Sequence, residues 1–262
     1  MSQHLQALIF DVDGTLADTE RHGHRVAFNR AFDEAGLDWF WDEARYGQLL
    51  AVTGGKERIW QYVMEAQPEW LQEPDSALQI RELHAAKTRH YVDLIKQKAI
   101  PLRPGVARLL DEAEQAGLRL AIATTTTPEN VTALLTATLG ETGPQRFEVI
   151  AAGDVVPAKK PAPDIFFKVL EQMQLPAAAC LVLEDSDNGV RAACAADLGV
   201  IVTTNGYTHK QDFSGAQVVL DGLGEPGRPP VQVQCGTAPP KGYVDLAALR
   251  DWHAALSEHN IG

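Results

Sequence analysis

The apolar run Leu5 to Phe10 stops at Asp11-Val12-Asp13-Gly14-Thr15, and no further segment reads as a strand until Leu118. A run that short and that apolar suits a buried parallel strand. A strand parted so far from its sheet partners implies that another unit is inserted behind it. The insert has helical period. Phe28, Ala31, Phe32 and Ala35 share one face before Gly36; Ile59, Val63 and Ala66 mark a second helix; Ser76 to Lys98 makes a third, with Ile80, His84, Lys87, Tyr91 and Ile95 near one stripe.

After Pro104-Gly105 helices and strands alternate. Strands are expected at Leu118–Ala123, Phe147–Ala151, Cys180–Leu183, Gly199–Thr203 and Gln217–Leu220. Helices are expected through Val106–Ala113, from Thr127-Pro128, over Asp164–Met173 and over Val190–Ala196. That alternation predicts a parallel sheet covered on both faces. Gly222 to Gly242 reads as an irregular surface loop, and Val244 to Leu256 as a short helix. The expected fold class is therefore α/β: a Rossmann-like parallel sheet core (1–17 and 98–240) with an inserted all-helical cap domain (18–97) and a C-terminal extension (241–262).

A formal net charge of −12 argues against a nucleic-acid partner, which would call for a basic stripe. It leaves a small anionic substrate open, since a few cations can reverse the local potential. The three cysteines, Cys180, Cys194 and Cys235, show no metal or redox spacing and read as two buried thiols and one loop thiol. No basic segment precedes a long apolar run at the N-terminus, and no stretch approaches the ~18 apolar residues of a membrane helix. The expectation is a cytoplasmic protein, or an organellar one if a transit peptide has been removed, without a membrane partner.

Four segments carry chemistry. Asp11 and Asp13 lie two apart, so both leave a strand's carboxyl end on one side, where parallel sheets place ligand sites; Gly14 allows a tight turn there. A plain Asp-Gly turn is the blander reading. Glu184-Asp185 closes a second strand, and with Asp11 and the backbone carbonyl of Asp13 can complete an oxygen site for Mg2+. The hydroxyls and N–H groups of Thr124 and Thr125 can hold phosphoryl oxygens at a helix start. Lys160, fenced by Pro161 and Pro163, can be aimed, whereas Lys159 reads as a solvated loop lysine.

In this order the segments resemble the haloacid-dehalogenase-like phosphatase superfamily over about residues 5 to 220. The insert is similar to the helical cap of its beta-phosphoglucomutase-like branch. The cap segments Ala27-Phe28-Asn29, Gly36 to Trp41, Thr53 to Arg58 and His84 to Thr88 resemble the xylulose-1,5-bisphosphate phosphatases of that branch, which clear an inhibitor of Rubisco. The resemblance implies Asp11 as nucleophile and Asp13 as general acid and base. It implies Thr124 and Lys160 as phosphate binders, and Mg2+ held by Asp11, Asp13 and Asp185, with Glu184 beside them. Asp18 holds the place of an acidic residue that follows the first motif in such proteins. A bisphosphate needs a second anion site, for which the cap offers Lys56 beside Gly55, then His24, Arg25, His84 and Lys87. Trp39, Phe40 and Trp41 read as cap core. The resemblance also implies a monomer, and the motifs are shared with beta-phosphoglucomutases and phosphoglycolate phosphatases. A non-catalytic sugar-phosphate sensor or Rubisco-interacting protein would be expected to have lost at least one of Asp11, Asp13, Lys160 and Asp185, and all are present.

Overall fold

The computed structural model describes residues 4–97 and 100–259. Among them, strands β1 (Ala7–Phe10), β2 (Arg119–Thr124), β3 (Val149–Ala152), β4 (Cys180–Glu184), β5 (Gly199–Thr203), β6 (Val218–Leu220) and β7 (Val233–Cys235) form one sheet in the order β3-β2-β1-β4-β5-β6-β7. All neighbours are parallel except β6 and β7. The last pair corrects the expectation of an irregular loop over 222–242: three of its residues cover the sheet edge.

β1 is buried along its whole length because both of its faces are covered. Leu8 and Phe10 point into a cluster with Leu109, Leu110, Leu134, Leu135 and Trp252, from α5 (Val106–Gln115), α6 (Pro128–Leu139) and α9 (Leu246–His259). Ala7 and Ile9 point the other way, onto Phe166 and Val169 of α7 (Asp164–Met173) and Val190 of α8 (Asp187–Ala195). This alternation fixes the register, since a slip of one residue would exchange the two faces. Phe10 is paired with both Ile122 and Leu183, so Asp11 stands level with Ala123 and Glu184 at the carboxyl edge.

The insert leaves the core after Ala17 and returns beside it: Ala17 bridges Leu102, and Arg103 N donates to Leu16 O at 2.8 Å. It holds α1 (Arg25–Glu34), α2 (Glu43–Leu49), α3 (Gly55–Ala66) and α4 (Ser76–Lys96) around its own aromatic core of Phe28, Phe32, Trp39, Trp41 and Tyr46. Phe40 departs from the expectation and is 69% exposed. An extended segment alternates its side chains, so with Trp39 and Trp41 inward the residue between them faces out. Helices α8 and α9 begin at Asp187 and Leu246, not at the expected Val190 and Val244; Ser186 caps α8 by accepting from Gly189 N. Of the thiols, Cys180 is buried, Cys194 half-buried and Cys235 exposed on β7.

Candidate active site

The ends of β1, β2 and β4 converge on the Lys160 ammonium. Its Nζ donates to Asp11 Oδ1 at 2.8 Å, Glu184 Oε1 at 2.6 Å and Ala123 O at 2.8 Å, which uses all three of its protons. Burial alone would discharge this lysine, but Asp11 and Glu184 outweigh it and hold it charged. Burial pushes Asp11 up to about 7, with Glu184 and Asp13 adding to the rise and Lys160 opposing it.

Glu184 is fully buried and its second oxygen is also committed. Oε2 accepts from Asp185 N at 3.0 Å, Ser186 Oγ at 3.2 Å and Ser186 N at 3.4 Å. Position 189 must be glycine, because a Cβ there would overlap the Glu184 carboxylate. Asp185 Oδ2 accepts from Asn205 Nδ2 at 2.6 Å. Gly14, at φ 89°, lets the turn pass close to the Asp185 carboxylate, where a Cβ would overlap it. Burial, then Glu184 and Asp11, raises Asp185 well above the usual carboxylate range.

One oxygen from each of Asp11, Glu184 and Asp185 lies within 4.8 Å of the others. Three buried carboxylates around one lysine leave net negative charge, which favours a cation in their midst. An oxygen-only donor set suits a hard divalent ion. Since both Glu184 oxygens are engaged elsewhere, Asp11 and Asp185 are the side chains that fit such an ion.

Asp13 is held differently. Thr19 Oγ1 at 2.5 Å and His24 Nε2 at 2.8 Å both donate to its Oδ1. Burial would raise its pKa, but His24 and Thr19 outweigh burial and bring it down to about 2. His24 stacks on Tyr91 at 4.2 Å between centroids, and its buried Nδ1 has no partner among the described residues.

One cavity is lined by Asp11, Asp13, Thr124, Thr125, Lys160 and Asp185, so six of the sequence-selected residues share one space. From the cap the same cavity receives Glu20, Thr53 and Arg58. Arg58 Nη1 donates to Tyr46 Oη at 2.9 Å, and the Tyr46 hydroxyl donates to Glu20. Further Arg58 bonds go to Leu49 O at 3.2 Å and Val52 O at 3.3 Å.

The other cap candidates stand apart from this cavity. Asp18 is largely exposed and pairs with Arg103 at 3.6 Å. Arg25 reaches the Trp41 carbonyl at 3.4 Å. Gly55 begins α3 beneath His84, whose ring fills the space a Cβ would need. Lys56 is paired with Asp154. Burial, with Lys87 and Lys56, lowers His84 to about 3, so it is neutral. Lys87 is buried between the rings of Phe28 and Tyr91, at 5.1 and 5.4 Å from their centroids, and burial brings it down to about 8. Lys159 is no solvated lysine: it bridges Glu57 and Asp154.

Glu20, Arg58 and Asn205 are the residues that the motifs did not single out. Glu20 opens a π-helical turn over Glu20–His24, which sets it toward the cavity and His24 beneath Asp13. Arg58 carried a legible signal, as the cation one turn after Gly54-Gly55.

A family model for haloacid dehalogenase-like hydrolases matches residues 5–197. The chain belongs to that family, and it is a phosphatase. Within the family it is 50% identical over 249 residues to protein CbbY (plasmid) of Cupriavidus necator, spanning 95% of this chain and 97% of that one. The crystal structure of a CbbY mutant from Rhodobacter sphaeroides in complex with xylulose-1,5-bisphosphate matches with a TM-score of 0.76 at 45% identity, over 85% of this chain and 96% of that one. A beta-phosphoglucomutase from Clostridium difficile shares the fold, with a TM-score of 0.73 at 18% identity over 98% and 100% of the two chains. No helix among the described residues is long and apolar enough to cross a membrane.

Proposed function

We propose that this chain is a Mg2+-dependent sugar-phosphate phosphatase that removes the C1 phosphate of xylulose-1,5-bisphosphate, leaving xylulose 5-phosphate, through an aspartyl-phosphate on Asp11. The observation that carries the reading is one cavity lined by two cations from different parts of the chain: Lys160, bonded to Asp11 in the core, and Arg58, presented by the cap. The bisphosphate bound to the Rhodobacter sphaeroides relative supports the same substrate class.

The chemistry follows from the side chains. An Asp11 oxygen attacks phosphorus, and the bond from phosphorus to the sugar oxygen breaks. Thr124 and Thr125 hold the phosphoryl oxygens, while Lys160, its three protons engaged, supplies positive charge beside Asp11. An anionic phosphate bound beside Asp13 raises its pKa from the resting value, so that it enters the reaction carrying a proton, gives it to the departing sugar oxygen and then takes one from the water that hydrolyses the acyl phosphate. Both of its bonds, from Thr19 and His24, go to Oδ1, so proton exchange falls to Oδ2. Asp11, Asp185 and the carbonyl of Asp13 would hold Mg2+, which supplies charge to neutralise phosphoryl oxygens. Arg58 holds the distal phosphate, taking the role for which Lys56 had been the leading sequence candidate.

The test is kcat/KM for a panel of sugar phosphates, with Mg2+ and with EDTA. Xylulose-1,5-bisphosphate should lead the panel, and EDTA should abolish turnover. Preference for a hexose monophosphate or for phosphoglycolate, or full activity in EDTA, would refute the reading.

A further inference from the structure

The first turn of α3 faces the loop between β3 and α7 across the boundary of cap and core. Four charges alternate there. Lys56 Nζ donates to Asp154 Oδ2 at 2.5 Å; Lys159 Nζ donates to Glu57 Oε1 at 2.6 Å and lies 2.9 Å from Asp154 Oδ1. Two members belong to the cap and two to the core, and the chain Lys56–Asp154–Lys159–Glu57 is neutral. The backbone is shaped around it. Gly54 sits at φ 97°, and a Cβ there would overlap the Glu57 carboxylate and come within 2.8 Å of Lys159 Nζ. A neutral tie runs alongside, from Asn188 Nδ2 to Thr53 Oγ1 at 3.1 Å and Ala51 O at 3.3 Å.

Exposed ion pairs contribute little to stability, so the use of this network is better sought in what it aligns. Glu57 is the chain neighbour of Arg58, and Lys159 of Lys160. Those neighbours are the two cations that face the cavity from cap and core. We propose that the Glu57–Lys159 contact, with Lys56–Asp154 beside it, fixes the separation of the two phosphate sites and so selects substrates carrying two phosphates over single phosphate esters. Glu57 and Lys159 act as positioning residues and touch no substrate. The inference rests on the bisphosphate reading above. A small monoester occupies the Lys160 site alone and does not need the cap held in register, whereas a bisphosphate is bound at both ends only when the spacing is right.

The test is charge reversal: Glu57→Lys, Lys159→Glu and the double variant, each assayed on xylulose-1,5-bisphosphate and on p-nitrophenyl phosphate. Each single reversal should lower kcat/KM for the bisphosphate at least tenfold, mainly through KM, while p-nitrophenyl phosphate stays within twofold of wild type and so reports intact folding. The double variant should regain at least fivefold over either single variant. Equal losses on both substrates, or a double variant no better than the singles, would overturn the proposal. Wild-type enzyme indifferent to the second phosphate would overturn the substrate reading and this inference with it. A wild-type preference that the reversals leave unchanged would overturn this inference alone.

Discussion

Lys160→Met removes the cation that Asp11 and Glu184 share, and the consequences for stability and for activity can be separated. Methionine fills most of the volume, so the change is electrostatic. Two carboxylates, one of them fully buried, lose bonds of 2.8 and 2.6 Å to the ammonium. Breaking a buried pair by deleting one partner costs about 3–5 kcal/mol. At about 2–4 °C per kcal/mol for a chain of this size, the melting temperature in EDTA should fall by roughly 10 °C. Adding Glu184→Gln removes the stranded buried charge and should return most of that loss, since a whole buried pair can be replaced at little cost. Activity should not return, because Asp11 and the phosphoryl group still lack their cation; kcat/KM should stay down by at least about 10³, some 4 kcal/mol of transition-state stabilisation. Thermal melts by circular dichroism and steady-state phosphate release measure the two quantities. A Lys160→Met protein as stable as wild type, or a double variant no more stable than the single, would refute this account of the buried triad.

Asp13→Asn should lower kcat by about 10²–10⁴ by removing the proton carrier. Its Mg2+ affinity by calorimetry should stay within twofold, because the side chain is not a ligand in the proposed set. Gly189→Ala should destabilise the fold by about 1–3 kcal/mol in urea melts, because the new methyl displaces a buried, hydrogen-bonded Glu184. His84 is neutral in the folded chain down to about 3, against an ordinary value of 6.5. Between those values the unfolded chain binds the extra proton, so His84 makes stability fall as pH drops through that window. His84→Gln should flatten the fall between pH 7 and pH 4.5, and an unchanged slope would show that His84 does not carry it.

The parallel core was legible because burial on both faces writes β1, β2 and β4 as short apolar runs, and their carboxyl ends fall in register. Asp11, Glu184 and Asp185 could thus be grouped before any coordinates. Lys160 was legible because prolines flank it. The cap was harder. Lys56 and Arg58 are two residues apart, about 200° around a helix, so the turn that aims one at the cavity aims the other away. Gly54-Gly55 signals a close approach without saying which of the two faces the ligand. Asp18 and Glu20 are also two residues apart, and it is Glu20, at the start of a π-helical turn, that lines the cavity. Phe40 could have been placed outside by the period of two between Trp39 and Trp41. The three residues of β7 have no pattern of their own, and the free edge of β6 makes them a strand.

The central claim is that Asp11 becomes covalently phosphorylated. Wild-type protein mixed with xylulose-1,5-bisphosphate and Mg2+, quenched in acid within milliseconds and digested, should yield a hydroxylamine-labile phosphate adduct on the peptide carrying Asp11. Asp11→Asn should yield none. Turnover of wild-type enzyme with no adduct at any quench time, or an adduct that persists in Asp11→Asn, would contradict it.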